Sequence, residues 1–285
     1  MPLDHPCFNA KAHRTTGRIH LAVAPKCNIQ CRYCDRKYDC ANESRPGVTS
    51  AVLTPDQAMV HLEEMLTKEP RIRVAGIAGP GEPLYNPETF ETFRRIRKAF
   101  PDLILCVSTN GLLLPEKLEE LVECGISTLT VTMNTLHTET AENIYHFPGT
   151  GAEKFLKAQQ EGVHAACASG LTVKINTVLI PGINETEVEE IAKFGKQAGA
   201  AVMNLMPLIP CGEMKENCSP SPEIIHQCRR QAGIHLPQFY HCRQCRADAC
   251  GVPGEEAPHK EHRKNRQMPQ TLQRACGIFN KKIEW

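Results

Sequence analysis

Ile19-His-Leu-Ala-Val-Ala24-Pro-Lys-Cys27-Asn-Ile-Gln-Cys31-Arg-Tyr-Cys34 runs from an apolar strand into a loop carrying three thiols spaced C-x3-C-x2-C. Thiolates are the ordinary ligands of iron–sulfur clusters. Three on one loop, Cys27, Cys31 and Cys34, can hold three irons of a [4Fe–4S] cluster. The fourth iron is then left for an exchangeable ligand, the arrangement of a reactive cluster rather than a structural one. A closed structural zinc site would want a fourth protein ligand nearby and usually two C-x2-C pairs. Three unrelated buried cysteines are the plain alternative.

Working outward, strand-like runs occur at 19–24, 71–78, 103–109, 128–134, 171–179 and 202–208. Helical patterns fill the gaps at 55–68, 87–99, 116–124, 152–168 and 185–198, the first with Thr54 as N-cap and Pro55 at its first position. Strand and helix alternating at this cadence mean a parallel sheet with right-handed crossovers. Six βα units are too few to close an eight-stranded barrel. The fold class is therefore α/β, a partial (βα)6 TIM-like barrel over 18–210 flanked by an N-terminal extension, 1–17, and a C-terminal one, 211–285.

Side chains alternate along a strand, and here the alternation is coherent. Ile104, Cys106, Ser108 and Asn110 oppose Leu103, Leu105 and Val107. Thr128, Thr130, Thr132 and Asn134 oppose Leu129, Val131 and Met133, and Thr172, Lys174 and Asn176 oppose Val173 and Ile175. A parallel strand covered on both faces should be nearly all apolar. Polar inner faces thus predict a lumen that binds a polar ligand.

Composition narrows the class. The 285 residues carry a net charge of +1, with no strong pull toward nucleic acid or membrane. No run of about eighteen apolar residues is present to span a bilayer, and the N-terminus lacks a signal peptide's basic and apolar regions. Fifteen cysteines, an odd number, argue against a secreted disulfide scaffold and for a reducing, cytoplasmic, metal-binding enzyme.

Other residues stand where chemistry could use them. Ala78-Gly-Pro-Gly-Glu-Pro83 follows the second strand, and its glycines allow the backbone a close approach to a ligand. Glu82, Asn110 and Asn176 fall at strand ends, at the C-terminal mouth of the barrel. Cys40 follows Cys34 by six residues, Cys106 lies on the polar stripe, and His20 is on the strand feeding the cluster loop. His241-Cys-Arg-Gln-Cys-Arg-Ala-Asp248 supplies a C-x2-C pair, Cys242 and Cys245, and His5-Pro-Cys-Phe8 adds Cys7. A lone C-x2-C fits half a zinc ribbon or a redox pair equally well, and a lone strand histidine is commonly a hydrogen-bonded core residue. These residues could also hold further iron–sulfur clusters.

The strand, the cysteine loop and Tyr33 resemble the radical S-adenosylmethionine (SAM) superfamily, whose open iron chelates the amino and carboxylate groups of SAM. The glycine-rich turn matches the element that meets the SAM amino group there, and the resemblance implies SAM contacts from Glu82, Asn110, Asn176 and Tyr33. The ordered segments His5–Phe8, Ala22–Cys31, Arg36-Lys-Tyr-Asp-Cys-Ala-Asn-Glu-Ser-Arg-Pro46, Ala78–Leu84 and Cys242–Asp248 are similar, over nearly the whole chain, to the NifB family of nitrogenase cofactor biosynthesis proteins. That resemblance implies a carbide synthase of lyase or transferase type. Two [4Fe–4S] clusters, K1 on His20, Cys40 and Cys106 and K2 on Cys7, Cys242 and Cys245, would be fused with a SAM-derived carbon and an added sulfur into an [8Fe–9S–C] precursor, NifB-co. One SAM would give its methyl group to a cluster sulfide. A second, cleaved at the Cys27/Cys31/Cys34 cluster, would give a 5′-deoxyadenosyl radical that removes hydrogen from it. Glu43 and Arg45 match the family's Glu-x-Arg-Pro element and are expected near K1 or the proton path, with a surface salt bridge as the alternative. Implied partners are an iron–sulfur cluster donor and a carrier that accepts the product. The NifX-like domain of many bacterial members is not seen after this region, so a short, stand-alone, monomeric form is expected.

Remaining cysteines have simpler readings. Cys124, Cys167 and Cys228 fall in helical patterns as small buried side chains, and nothing selects Cys211, Cys218, Cys250 or Cys276 as ligands. The basic run 259–266 could dock an acidic carrier or be a solvated tail. Two rival functions remain: a radical SAM enzyme with one auxiliary cluster, and a non-catalytic cluster carrier, which would have no need of the Gly-Glu-Pro turn or the polar lumen.

Overall fold

The computed structural model describes residues 4–255; the basic run at 259–266 and Cys276 lie outside them. In chain order the elements are α1 (Ala12–Thr15), β1 (Gly17–His20), β2 (Gln30–Cys31), α2 (Pro55–Lys68), β3 (Ile72–Ile77), α3 (Pro87–Ala99), β4 (Ile104–Thr109), α4 (Leu114–Glu123), β5 (Ile126–Thr132), α5 (Thr138–Ile144), β6 (Tyr145–His146), α6 (Ala152–Ala168), β7 (Thr172–Leu179), α7 (Val188–Ala198), β8 (Val202–Pro207), α8 (Pro222–Gly233) and β9 (Cys250–Gly251). Six strands, β8-β7-β5-β4-β3-β1, form the expected parallel sheet. It is a curled half-barrel. A seventh strand, β9, adds to its edge antiparallel to β1, pairing Ile19 with Cys250. Sequence periodicity gave no sign of so short a strand.

Helices cover one face only. Leu62, Phe93, Ile96, Leu121, Val163 and Ile191 pack against Ile19, Leu105, Val107, Leu129, Val131, Ile175 and Leu205 of the strands, all essentially without solvent contact. Each such side chain contributes about 1.5–3 kcal/mol by burial. On central strand β4 the opposite face stays partly accessible at Ile104, Cys106 and Ser108 while Leu105 and Val107 are sealed. Accessibility on one face of an interior strand means open space there, as the polar stripes predict.

Local chemistry sets the boundaries. Thr54 and Gln57 form a reciprocal capping box at the start of α2, where Thr54 Oγ1 accepts from the Gln57 amide at 3.2 Å. The first strand is shorter than the 19–24 run predicts. After His20 the chain stays buried but leaves the ladder, and Ala24 rejoins it only through a bridge to Pro80. Helix α7 starts at Val188 rather than 185 because the Asn184 side chain organises the preceding turn. It accepts from the Ile180 amide and donates to the Val178 and Asn134 carbonyls. Helix α4 begins two residues earlier than predicted, at Leu114, with Pro115 in its first turn.

Candidate functional site

The cysteine loop is clamped by backbone on three sides. Strand β2 pairs with β6, setting Cys31 opposite Tyr145. The Gln30 side-chain amide donates to the Cys31 and Cys34 carbonyls at 2.9 and 3.0 Å. On the second side, Gly81 donates to the Ala24 carbonyl at 2.6 Å and Glu82 to the Lys26 carbonyl at 2.8 Å. Asn86 closes the same contact through its side chain, with bonds to the Lys26 carbonyl and amide at 2.9 and 3.1 Å. On the third, the segment after β8 folds back so that Glu213 donates to the Arg32 carbonyl at 2.8 Å, and Gly212, at φ +57°, lies against that carbonyl.

Gly81 adds a second reason for glycine in this turn. A Cβ there would lie 2.2 Å from the Lys26 carbonyl oxygen and 2.8 Å from that of Pro25. The side where a Cβ would stand is filled by the cluster loop's own backbone, and the residue also lines the cavity.

Cys27, Cys31, Cys34 and Tyr33 line a cavity of about 220 Å³ whose walls include Arg45, Gly81, Glu82, Ser108, Asn110, Thr132, Tyr145, Met206, Cys211 and Gln244. Burial pushes all three thiols up, Cys34 to about 11 and Cys31 further. Metal must therefore displace protons to bind them. Among the described residues no three His, Cys, Asp or Glu side chains gather closely enough to hold a single metal ion. An all-thiol set of three at the rim of a cavity fits a multi-iron cluster with one open position.

The expected SAM contacts separate on inspection. Asn110 lines the cavity, its side chain donating to Asn28 at 2.7 Å and accepting from the Leu112 amide at 3.0 Å. Glu82 also lines it, but its carboxylate is already engaged by Thr109 Oγ1 at 2.5 Å and by the Asn110 and Leu84 amides at 2.7 and 3.0 Å. Burial outweighs those donors and raises its pKa to about 7. Glu82 thus ties the turn to the end of β4. The Tyr33 hydroxyl accepts from Asn134 at 2.9 Å and hydrogen-bonds Cys31, which makes it a neighbour of a cluster thiol. Asn176 is not on the cavity wall; its carbonyl oxygen accepts from Asn204 at 3.1 Å, further along the lumen.

His20, Cys106, Cys7, Cys242 and Cys245 come near one another on the uncovered face, and Cys40 is tied to that corner through its backbone carbonyl. Register sets His20 beside Gly76 and Gly76 beside Cys106. A glycine between them leaves the space over the middle strand empty. His20 Nδ1 donates to the Arg246 carbonyl at 3.1 Å, so the lone pair is on Nε2, and burial lowers its pKa to about 4. A neutral imidazole steered by a backbone carbonyl is how metal-ligating histidines are held. Arg246, buried, is the hub of this corner. Its guanidinium donates to the carbonyls of Cys40 (2.8 Å) and Glu43, to Ser50 Oγ (3.0 Å) and to both Asp248 oxygens (2.7 and 2.9 Å). Burial alone would raise Asp248, but the bonds from Arg246 and Ser50 win and hold it at about 2.

Cys7 and Cys242 pack together around Phe8, Val202 and Phe239. Arg18, fully buried on β1, donates to Cys245 Sγ at 3.0 Å and to the Gly251 carbonyl at 2.7 Å. Burial pushes Cys7 up to about 12, and the charges of Lys174, Cys245 and Cys106 reach it. Gln244, between the two C-terminal cysteines, adopts φ +49° and donates to the Pro207 carbonyl at 2.8 Å, fixing the C-x2-C turn to the end of β8.

Glu43 and Arg45 are paired. Arg45 Nε and Nη2 reach Glu43 Oε2 at 3.0 and 2.9 Å, and Lys37 takes the other oxygen. Of the two, only Arg45 lines the cavity. Sequence reasoning missed Arg246, Asp248, Arg18 and Gln244. The Cys-Arg-Ala-Asp element was the available signal, but nothing in it says that its arginine spans 40 to 50.

The description Radical SAM superfamily matches residues 21–195. The chain is 44% identical to FeMo cofactor biosynthesis protein NifB of Methanocaldococcus infernus, over 94% of this chain and 92% of that one. It is 45% identical to the Klebsiella pneumoniae protein of the same name, over 88% of this chain and 57% of that one. The chain therefore spans little more than half the length of some of the curated relatives it matches. Among solved structures, Streptococcus suis SuiB bound to S-adenosylmethionine superposes with a TM-score of 0.56 at 13% identity, covering 80% of this chain and 50% of that one. That likeness concerns the fold alone. No helix among the described residues is long and apolar enough to cross a membrane.

Proposed function

Because the chain belongs to the radical SAM superfamily and, within it, to the NifB family of FeMo cofactor biosynthesis proteins, we propose that it fuses two iron–sulfur clusters, taken as substrates, with a carbon from SAM and one added sulfur into a carbide-bearing cofactor precursor. The observation that supports this reading is the gathering of His20 and Cys106 about Gly76, with Cys7, Cys242 and Cys245 near them, on the face of the sheet opposite the helices. His20, Cys40 and Cys106 form the first set, for K1. Cys7, Cys242 and Cys245 form the second, for K2. Three protein ligands per substrate cluster leave an iron of each untied, as clusters that must merge and depart require.

Cys27, Cys31 and Cys34 would hold the resident [4Fe–4S] cluster, which would supply an electron for cleavage of SAM. Asn110, Ser108 and Thr132 give the cavity wall polar groups for the cosubstrate. Tyr33 hydrogen-bonds the Cys31 sulfur, and Glu82 keeps the turn closed on the loop. Arg45 faces the cavity as a fixed cation, with Glu43 as its positioning partner. A donor of clusters and a carrier for the product are the partners this chemistry needs.

Anaerobically reconstituted protein, given SAM and a strong reductant, should yield both 5′-deoxyadenosine and S-adenosylhomocysteine, and a Cys31→Ser variant should yield no deoxyadenosine. Deoxyadenosine without S-adenosylhomocysteine would leave a radical SAM enzyme with an auxiliary cluster and sink carbide insertion. Neither product, from cluster-loaded protein, would make it a carrier.

A further inference from the structure

Lys174 is a buried cation that lacks an anion. It is 5% exposed on β7, and among the described residues its ammonium donates to the Cys7 carbonyl alone, at 3.4 Å. It stands over the Phe8 and Phe239 rings at 5.1 and 5.7 Å, and among the described residues no carboxylate pairs with it. A desolvated ammonium is costly unless paired, and one long hydrogen bond with two ring faces does not replace its water. Arg18, the other buried cation nearby, already donates to Cys245 and Gly251.

A second unused donor stands close by. His5 is 1% exposed, and its Nδ1 accepts the Cys7 amide at 3.0 Å, so its proton is on Nε2. That Nε2 has no hydrogen-bond partner among the described residues. Lys174's charge reaches His5, His20, Cys7 and Cys106 alike. A buried ammonium with one long hydrogen bond and a buried N–H with none among the described residues therefore lie near residues of both substrate ligand sets.

We propose that Lys174 and His5 form the anion-accepting part of the substrate site: the Lys174 ammonium offsets the negative charge of the thiolate-bound iron–sulfide clusters of the Cys7 and Cys106 sets, and His5 Nε2–H donates to a sulfur of the cluster on the Cys7 set. This rests on the reading that the lumen takes iron–sulfur substrates. The cluster held by the three thiolates Cys7, Cys242 and Cys245 is anionic, the cluster on His20, Cys40 and Cys106 brings two more thiolates, and gathering that much negative charge in a low-dielectric lumen is opposed by repulsion. A fixed cation near both sets lowers that barrier as well as holding each cluster.

The test uses full-length protein with Cys27, Cys31 and Cys34 replaced by alanine, so that bound iron reports the lumen alone. After anaerobic titration with iron and sulfide, Lys174→Met should weaken lumen iron binding about tenfold, the size of one charge-assisted contact. It should also move the midpoint potential of the residual cluster to more negative values. Lys174→Arg should restore both, and His5→Phe should weaken binding roughly threefold. Equal binding and equal potential in Lys174→Met would overturn the proposal while leaving lumen clusters in place. A triad-free parent that takes up no iron would overturn both the proposal and the reading beneath it. If Lys174→Met does not fold, the arginine and His5 variants decide: loss of binding in the arginine variant, or unchanged binding in His5→Phe, refutes the assignment.

Discussion

The cysteine loop and the lumen of this half-barrel solve the same problem, holding thiols in place, by opposite means. The loop brings Cys27, Cys31 and Cys34 from eight consecutive residues and fixes them with backbone bonds from the 81–86 turn, the β2–β6 pair and the 212–214 segment. The lumen draws Cys7, His20, Cys40, Cys106, Cys242 and Cys245 from five separate stretches, held by buried side chains, chiefly Arg18 and Arg246. On the function proposed above, a rigid contiguous clamp would serve a resident cofactor, and dispersed ligands positioned by a few buried cations would serve substrates that arrive, merge and leave.

The sharpest way to break the clamp is Gly81→Ala. The added methyl meets the Lys26 carbonyl at 2.2 Å, backbone against backbone, so no side chain can move aside. The turn must part from the loop and lose the bonds at Ala24 and Lys26. We expect a loss of about 3 kcal/mol or more, read as a lowered melting temperature, together with loss of the triad's share of iron while lumen iron remains. Unchanged melting and iron content would show that the contact is easily relaxed and that the clamp is not what secures the triad.

Arg246→Met attacks the other side of the comparison. Removing a guanidinium that donates to Cys40, Glu43, Ser50 and Asp248 leaves a half-buried carboxylate and two carbonyls short of partners. The expected cost is about 2–3 kcal/mol, with loss of iron from the His20/Cys40/Cys106 set and retained SAM cleavage at the triad. Asp248's folded pKa lies below its free value of 3.8, at about 2. Its contribution is thus complete above that free value and is lost as pH falls through the folded one. The stability gap between parent and variant should therefore narrow on acidification toward pH 2. A gap that stays constant would remove the Arg246–Asp248 pair as its source.

How much of this was legible in the chain follows the same division. Contiguity made the triad readable from spacing, and period-2 alternation made the lumen readable from Cys106, Thr130 and Lys174. Thr54 and Pro55 announced their helix because an N-cap is a local bond. What stayed hidden depends on contacts far apart in sequence: the His20–Gly76–Cys106 row, the bond from Arg246 to Cys40, and the strand β9 laid beside β1. Gly81 was legible only in part, because a glycine's freedom says that something approaches and not that the cluster loop's own backbone is among what does. Resemblance supplied the grouping of six dispersed ligands, which neither spacing nor periodicity could derive.

Glu43→Gln gives the smallest effect and separates two roles that the pairing leaves in contact. Glu43 accepts from Lys37 and Arg45, and its pKa is lowered chiefly by the Lys37 bond. It stands off the cavity that Arg45 lines. Glutamine keeps the shape and one acceptor, so the expected stability loss is about 1 kcal/mol, the scale of a partly exposed ion pair. As a positioning residue Glu43 acts only through Arg45, so turnover should fall without any change in the shape of its pH profile. A residue that itself carried the proton would lose one limb of that profile on amidation. A lost limb would move Glu43 from the clamp of Arg45 into the proton path, and would make this corner of the lumen more than a scaffold for ligands.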